Sequence, residues 1–229
     1  MVVVAALAGP ARAAIPASVH LGAEAITDFP LEVGGRLWTE LPHRLRLSAA
    51  LGYLPGGYVD GINAILVGVG AYDQQTADTI RAALQSSLVF RAHAGWRPFT
   101  RRGFYFEVGY GLVTLGGGLS GAKALSLATG LGIPPGVDGN RSYTVESRLH
   151  MIDAELGWQW LLWRGLSLRA ALGFSGTLGS STAIASKDGA SAGPFEDSFM
   201  RSGETYLNDT CKSYVFTPVA SLGLGWRFF

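Results

Sequence analysis

Three residues in the middle of the chain are of the types that carry acid–base or metal chemistry, namely His93, Asp153 and Glu155. A histidine near two carboxylates can move protons or bind a cation, provided that the three side chains meet. No Ser/His/Asp arrangement and no metal-ligand spacing surrounds them, so we expect no catalytic, cofactor-binding or metal-binding residue. A lipid-directed hydrolase that uses His93 or Asp153, or an ion-conducting path, is the alternative.

These residues belong to a larger charged set that recurs in one phase of several alternating segments. The set, here called the lumen charge network, comprises Glu32, Arg36, Glu40, Arg46, Arg91, His93, Glu107, Asp153, Glu155, Arg169 and Arg227. Acids and bases are nearly balanced in it. Since an eight-stranded barrel is only wide enough inside for side chains, we expect these groups to pair with one another and fill the interior.

The elements that position this set are alternating segments, of which the last is the clearest. In residues 212–228, Leu222, Leu224, Trp226 and Phe228 point to one side, and glycines and small hydroxyls with Arg227 point to the other. Such a strand suits a barrel with lipid outside. Eight segments of this kind follow the leader, at about 18–26, 31–41, 44–54, 86–97, 103–115, 144–160, 165–180 and 212–228. The fold class predicted is an all-β, eight-stranded antiparallel transmembrane barrel.

Composition favours a surface that faces something other than water. Hydrophobic residues make up 48% of the chain and charged residues 15%, and the net charge is +1. An ordinary soluble domain has roughly a quarter of its residues charged, and a nucleic-acid partner would need a basic patch. No apolar run after residue 13 is long enough for a membrane-spanning helix, which leaves alternation as the way to cross a bilayer.

The sequence predicts a signal peptide followed by one domain. Residues 1–13 combine a short apolar core with the small-x-small sequence Ala11-Arg12-Ala13, and lack a positively charged start. Residues 14–229 form the single barrel domain. The one cysteine, Cys211, excludes an intramolecular disulfide and a cysteine-based zinc cluster, and we expect it to be incidental.

Tight and long connections alternate along the chain, so the tight turns lie at one end of the barrel and the long segments 55–85, 116–143 and 181–211 at the other. Only the short connection at residues 27–30 departs from this rule. Aromatic residues cluster near the tight turns and predict a belt at one lipid interface. The belt comprises Trp96, Trp158, Trp160, Trp163, Trp226 and Phe228. Trp38 lies at the same level, but its phase points inward.

The long segments carry apolar residues at helical spacing and predict short amphipathic helices. We interpret these positions as a surface for a hydrophobic ligand or a partner: Ile62, Ile65, Leu66, Val69, Ile80, Leu84, Leu125, Phe195, Phe199 and Tyr206. Apolar stripes must be covered, and a self-packed lid, a groove for a lipid or acyl chain, and docking of an envelope protein all remain open.

Taken together, the alternation, the connections, the tryptophan belt and the ending Phe228-Phe229 make the chain resemble the small eight-stranded bacterial outer-membrane barrels, the OmpA-like, OmpX-like and OmpW-like group. A lipocalin-type barrel would have the reverse distribution, with an apolar inside and a charged outside. The resemblance implies location in the Gram-negative outer membrane, with both termini periplasmic and the long loops outside. It implies a non-enzymatic barrel that presents a helical loop cap to the envelope or a partner. The alternative is binding or transport of small hydrophobic molecules.

Overall fold

The computed structural model describes residues 19–70, 74, 77–78, 81, 86–99, 103–119, 126, 132, 142–186, 193–214 and 216–228. Eight antiparallel strands form one closed barrel in sequence order, and the first strand pairs with the last. The strands are β1 (His20–Phe29), β2 (Glu32–Glu40), β3 (Leu45–Tyr53), β4 (Ser86–Trp96), β5 (Phe104–Leu119), β6 (Tyr143–Leu161), β7 (Leu166–Ser186) and β8 (Phe216–Arg227). The predicted fold class is therefore confirmed.

Among the helices whose bounds fall within the described residues, α1 (Gly56–Gly68) follows β3 and α2 (Pro194–Tyr214) precedes β8, both at the long-loop end. Pro194 is the first residue of α2, where its missing N–H costs nothing, and Glu196 and Asp197 in the first turn suit the positive end of the helix dipole. In the part of the chain that the structure describes, no helix is both long and apolar enough to cross a membrane.

The tight turns at the other end use residues with left-handed backbone conformations. Short 3₁₀ turns join β2 to β3 at Pro42–Arg44 and β6 to β7 at Trp163–Gly165. His43, Arg44, Arg164 and Gly165 have positive φ angles, which reverse the chain within a few residues.

Several predicted boundaries were wrong. Residues 27–29 belong to β1, so the connection to β2 is shorter than predicted. Strands β5, β6 and β7 reach further towards the long-loop end, and α2 occupies residue 214, so β8 begins at Phe216 rather than at 212. The predicted signal peptide at 1–13 lies outside the described residues, as do most positions of the predicted second helix of the first loop and of the helix around Leu125.

Strands β6 and β7 extend beyond the rest of the barrel. Strand β8 pairs with β7 only as far as Gly176, whereas β6 and β7 stay paired up to Tyr143 and Ser186. An exposed strand edge is a site of unwanted pairing unless something covers it. Helix α2 packs along this extension of β7 and covers it.

The side-chain distribution is inverted relative to a soluble protein. Arginine side chains such as Arg46, which is 0% exposed, are buried inside the barrel, whereas Leu37 on the outer face of β2 is 62% exposed. Strand β3 shows the pattern without interruption, because every second residue from Leu45 to Tyr53 is exposed and those between are buried. An exterior of this kind is suited to acyl chains.

Candidate functional site

The barrel interior holds a connected cluster of arginines and carboxylates. Arg36 on β2 donates hydrogen bonds to Glu155 on β6 at 3.1 and 3.0 Å and to the hydroxyl of Ser48 at 2.8 Å. It also forms an ion pair with Glu107 on β5. One guanidinium thus joins β2 to three other strands, and its removal would leave two buried carboxylates short of a cation.

Arg46 on β3 closes the lower part of this cluster. Its guanidinium donates to Glu107 at 2.5 Å and to Gln159 at 2.6 Å. The same group lies 4.3 Å from the ring centroid of Tyr105 and 5.0 Å from that of Trp38. Aromatic faces attract a cation, so Trp38, which was predicted to point inward, lies against the charged cluster from below.

Asp28 joins the remaining two arginines. Arg169 on β7 donates to Glu24 at 3.1 Å and to Asp28 at 3.3 Å. Arg91 on β4 donates to the second oxygen of Asp28 at 2.5 Å. Because Arg169 also reaches Glu155 at 3.3 Å, the four arginines form one continuous network.

His93 and Asp153, the candidate acid–base residues, lie at the edge of this network. The His93 Nε2 and Asp153 Oδ2 atoms are 3.6 Å apart, and Arg91 donates to the same Asp153 oxygen at 3.1 Å. The hydroxyl of Ser175 donates to the other oxygen of Asp153. Glu32 lies 3.6 Å from Arg91. All of these side chains are buried.

The structure brings together nine of the eleven predicted members of the lumen charge network and places the other two below them. Glu40 and Arg227 lie at the tight-turn end and line a cavity of about 270 Å³ with His20, Trp38, Arg97 and Gln159 among its other walls. Arg97 contacts Glu40 at 3.3 Å and Gln159 at 3.0 Å. Burial lowers the pKa of Arg97, and the Glu40 carboxylate opposes that effect.

Asp28 and Tyr105 belong to the network but were absent from the predicted set. Asp28 was assigned to a turn because Pro30 follows it closely, although its phase along β1 matches that of Glu24. Tyr105 is fully buried, donates to Glu155 at 3.1 Å and accepts from Arg169 at 3.2 Å. Tyr105 has the same phase on β5 as Glu107, and this alternation was the feature of the sequence that could have placed it inside the barrel.

Sequence reasoning also missed an apolar cluster on the inner face of β4, β5 and β6. It consists of Val89, Val113, Leu149 and Met151, with Leu115 packed against it. These residues follow the charged ones in the same phase, closer to the long-loop end. The interior is therefore charged in the middle and apolar above.

The predicted aromatic belt lies on the outer face near the tight turns. Trp96, Trp158, Trp160, Trp163, Trp226 and Phe228 are all exposed. Trp96 packs edge-on to Phe106 with centroids 6.2 Å apart, and its indole N–H donates to the carbonyl of His43 at 3.1 Å. An aromatic body with a polar tip is suited to a lipid–water interface.

Helix α1 does not bury the predicted apolar surface as one face. Val59 and Asn63 are its buried side chains, Ile62 is half-buried, and Ile65 and Val69 are exposed. The side chain of Leu66, and residues Ile80 and Leu84, fall outside the described part of the chain.

Helix α2 is held to the β6–β7 extension by hydrogen bonds. Glu204 accepts from the backbone N–H of Ile184 at 2.8 Å, and Glu196 accepts from the hydroxyl of Tyr143 at 3.0 Å. The hydroxyl of Ser180 donates to the carbonyl of Asn208 at 2.9 Å.

The aromatic residues of α2 are split between two environments. Phe199 is buried, whereas Phe195 and Tyr206 are 71% and 44% exposed. Phe195 and Tyr206 lie further round the helix than the residues that meet the sheet. The predicted hydrophobic face is therefore packed at Phe199 and exposed at Phe195 and Tyr206.

A closed eight-strand barrel with this exterior is consistent with a bacterial outer membrane. No protein-family model matches the chain, and no curated protein matches it significantly.

The solved structures to which the chain is similar include three proteins. A major outer membrane protein from Thermus thermophilus has a TM-score of 0.48 and 14% identity, and the match covers 92% of this chain and 100% of that one. CarO from Acinetobacter baumannii has a TM-score of 0.38 and 12% identity, with 90% and 96% of the two chains covered. CarO2 from the same organism gives 0.38 and 14%, with 91% and 98% covered. No residue of this chain takes a role from these proteins.

Proposed function

We propose that the protein is an integral outer-membrane barrel whose function is to anchor and present the loop helices at the outer surface, without enzymatic activity. The observation that carries this proposal is the attachment of α2 to the β6–β7 extension. Glu196 and Glu204 of α2 accept hydrogen bonds from Tyr143 and from the N–H of Ile184, and the carbonyl of Asn208 accepts one from Ser180. A helix fixed in this way is a stable surface element on a rigid support.

The contacts inside the barrel support a structural lumen. Arg36, Arg46, Arg91 and Arg169 each contact at least one buried carboxylate, and such pairs fill a narrow barrel. Removing one arginine would leave a buried carboxylate without its cation, so these pairs join the strands across the interior.

The exposed aromatic edge of α2 favours a second candidate function. Phe195 and Tyr206 offer apolar surface with one polar tip, which suits either a protein partner or a small hydrophobic molecule. Binding of a hydrophobic molecule at the loop helices is therefore the alternative to presentation of the helix to an envelope partner.

The anchoring proposal is tested by thiol labelling of intact cells. In a Cys211→Ser background, Tyr206→Cys on α2 should react with a membrane-impermeant maleimide, whereas Arg164→Cys at a tight turn should react only after the outer membrane is permeabilised. Both side chains are exposed in the structure, so a difference in reaction reports sidedness. Equal labelling of the two positions on intact cells would contradict the proposed orientation.

Native mass spectrometry of delipidated protein separates the two functions. Retention of a lipid-sized mass that Tyr206→Ala and Phe195→Ala release would favour the hydrophobic-ligand function. An apo mass, or a bound protein, would favour presentation of the helix.

A further inference from the structure

Helix α1 carries an apolar stripe that the described fold leaves uncovered. Tyr58, Ile62, Ile65 and Val69 follow one another at the spacing of a single helix face, the last of them one residue beyond the helix end. Tyr58 and Ile62 are half-buried, but Ile65 and Val69 are 64% and 72% exposed.

The other side of α1 makes the contacts with its own loop. Val59 is buried, and the amide of Asn63 donates to the carbonyl of Ala77 at 2.9 Å. Asp60, the one charged residue of the helix, lies roughly opposite the stripe and pairs with Arg81 at 3.2 Å. The stripe is therefore free of charge, and the polar side of the helix is the packed one.

Tyr58 places the stripe next to the outer wall of the barrel. Its ring packs edge-on to Phe29 with centroids 5.1 Å apart, and its hydroxyl is hydrogen-bonded to Thr27. Thr27 and Phe29 lie on the outer face of β1, because the alternate residues Ile26 and Asp28 are buried inside. The start of α1 is thus in contact with the surface that β1 presents to the outside.

The start of the segment between β3 and α1 is also fixed at this height. The N–H of Leu54 donates to the hydroxyl of Ser87 at 2.8 Å. Tyr53, the last residue of β3, is exposed on the outer face. Phe29 and Tyr53 are the last residues of β1 and β3 at the long-loop end of the barrel. Aromatic residues favour such a position at a lipid interface.

We propose that this stripe of α1 lies on the outer leaflet of the membrane, with Ile65 and Val69 in contact with the lipid. The proposal rests on the membrane placement proposed above. A lipid surface is the occupant because the stripe continues the apolar outer wall of β1 through Tyr58. Helix α1 has no lysine or arginine, so its attraction to the membrane comes from apolar area and not from anionic headgroups.

The test uses nitroxide labels on full-length protein reconstituted in phosphatidylcholine vesicles. In the Cys211→Ser background, single cysteines replace Ile65, Val69, Ala64 and Leu37. Ala64 is exposed on the side of α1 away from the stripe and is the matched aqueous control. Leu37 on the barrel wall is the lipid control. Collisions with oxygen, which concentrates in lipid, are compared with collisions with a water-soluble nickel complex.

We expect the oxygen-to-nickel ratio at Ile65 and Val69 to approach that at Leu37 and to exceed that at Ala64. A lipid-like ratio at Leu37 with water-like ratios at Ile65 and Val69 would overturn the α1 proposal alone. A water-like ratio at Leu37 would overturn the membrane placement and the α1 proposal with it.

Discussion

The ring of Tyr105 lies directly against the backbone of Gly157, its partner in the register between β5 and β6. Any side chain at residue 157 would occupy the space of the ring. The missing side chain lets the Tyr105 hydroxyl reach Glu155 and Arg169, so one glycine on β6 positions a buried tyrosine within the charged network.

Gly157→Ala is expected to lower the free energy of unfolding by about 1–3 kcal/mol, the usual cost of overpacking. The cause is the collision between the new methyl group and Tyr105. Urea unfolding in lipid vesicles measures the change. Gly179→Ala is the matched control, since a methyl group there meets no atom within 4 Å. Adding Tyr105→Ala should reduce the cost of Gly157→Ala, and equal costs in both backgrounds would contradict the account.

Arg36→Ala is expected to destabilise the barrel by about 3–5 kcal/mol, because Glu107 and Glu155 would lose a shared cation in a buried site. The same unfolding experiment measures it. Arg81→Ala is the control, since its pair with Asp60 is exposed and is expected to contribute only about 0–1 kcal/mol. Similar losses for the two variants would show that the lumen pairs do not stabilise the barrel.

Leu172→Arg tests the lipid-facing wall. Leu172 is exposed near the middle of the part of β7 that lies in the barrel, where an arginine facing lipid costs about 2–4 kcal/mol. Ser198→Arg on the exposed side of α2 should change the free energy of unfolding by much less. A tolerated arginine at residue 172 in vesicles would argue against contact with acyl chains.

Glu204→Ala tests the attachment of α2. Loss of the bond from the backbone N–H of Ile184 should raise the rate of amide hydrogen exchange at Ile184 and its neighbours on the β7 extension. Glu196→Ala, which removes the contact with Tyr143 instead, should leave exchange at Ile184 closer to that of the unmodified protein. Unchanged exchange in Glu204→Ala would mean that other contacts hold the helix.

The strands were predictable because, in a barrel with lipid outside, alternate residues of each strand face the lipid and the interior. Alternation alone placed Arg36, Arg46 and Glu107 on the inner face, without information on which side chains they contact. The pairing of Arg36 with Glu155 was not predictable, because it joins strands 119 residues apart and depends on the register around the barrel. Which carboxylate meets which arginine is decided by that register.

The predicted strand boundaries were wrong where two sequence patterns overlapped. Pro30 suggested a turn and concealed Asp28, although the alternation of β1 continues through it. Residue 214 fitted the alternation of β8, yet α2 extends through it. Helical spacing in the loops predicted helices but not their buried sides. Asn63 is buried because it bonds to Ala77, fourteen residues further along the first loop, and the spacing does not show that contact.

Electrophoretic mobility in SDS, with and without boiling, tests the central claim most directly. A closed barrel whose strands are all paired should resist SDS at room temperature, so the unheated protein should migrate differently from the boiled one. Tyr105→Ala combined with Arg36→Ala should lose the shift at a lower temperature than the unmodified protein. Identical mobility before and after boiling, for protein extracted from the outer membrane, would contradict the closed membrane barrel.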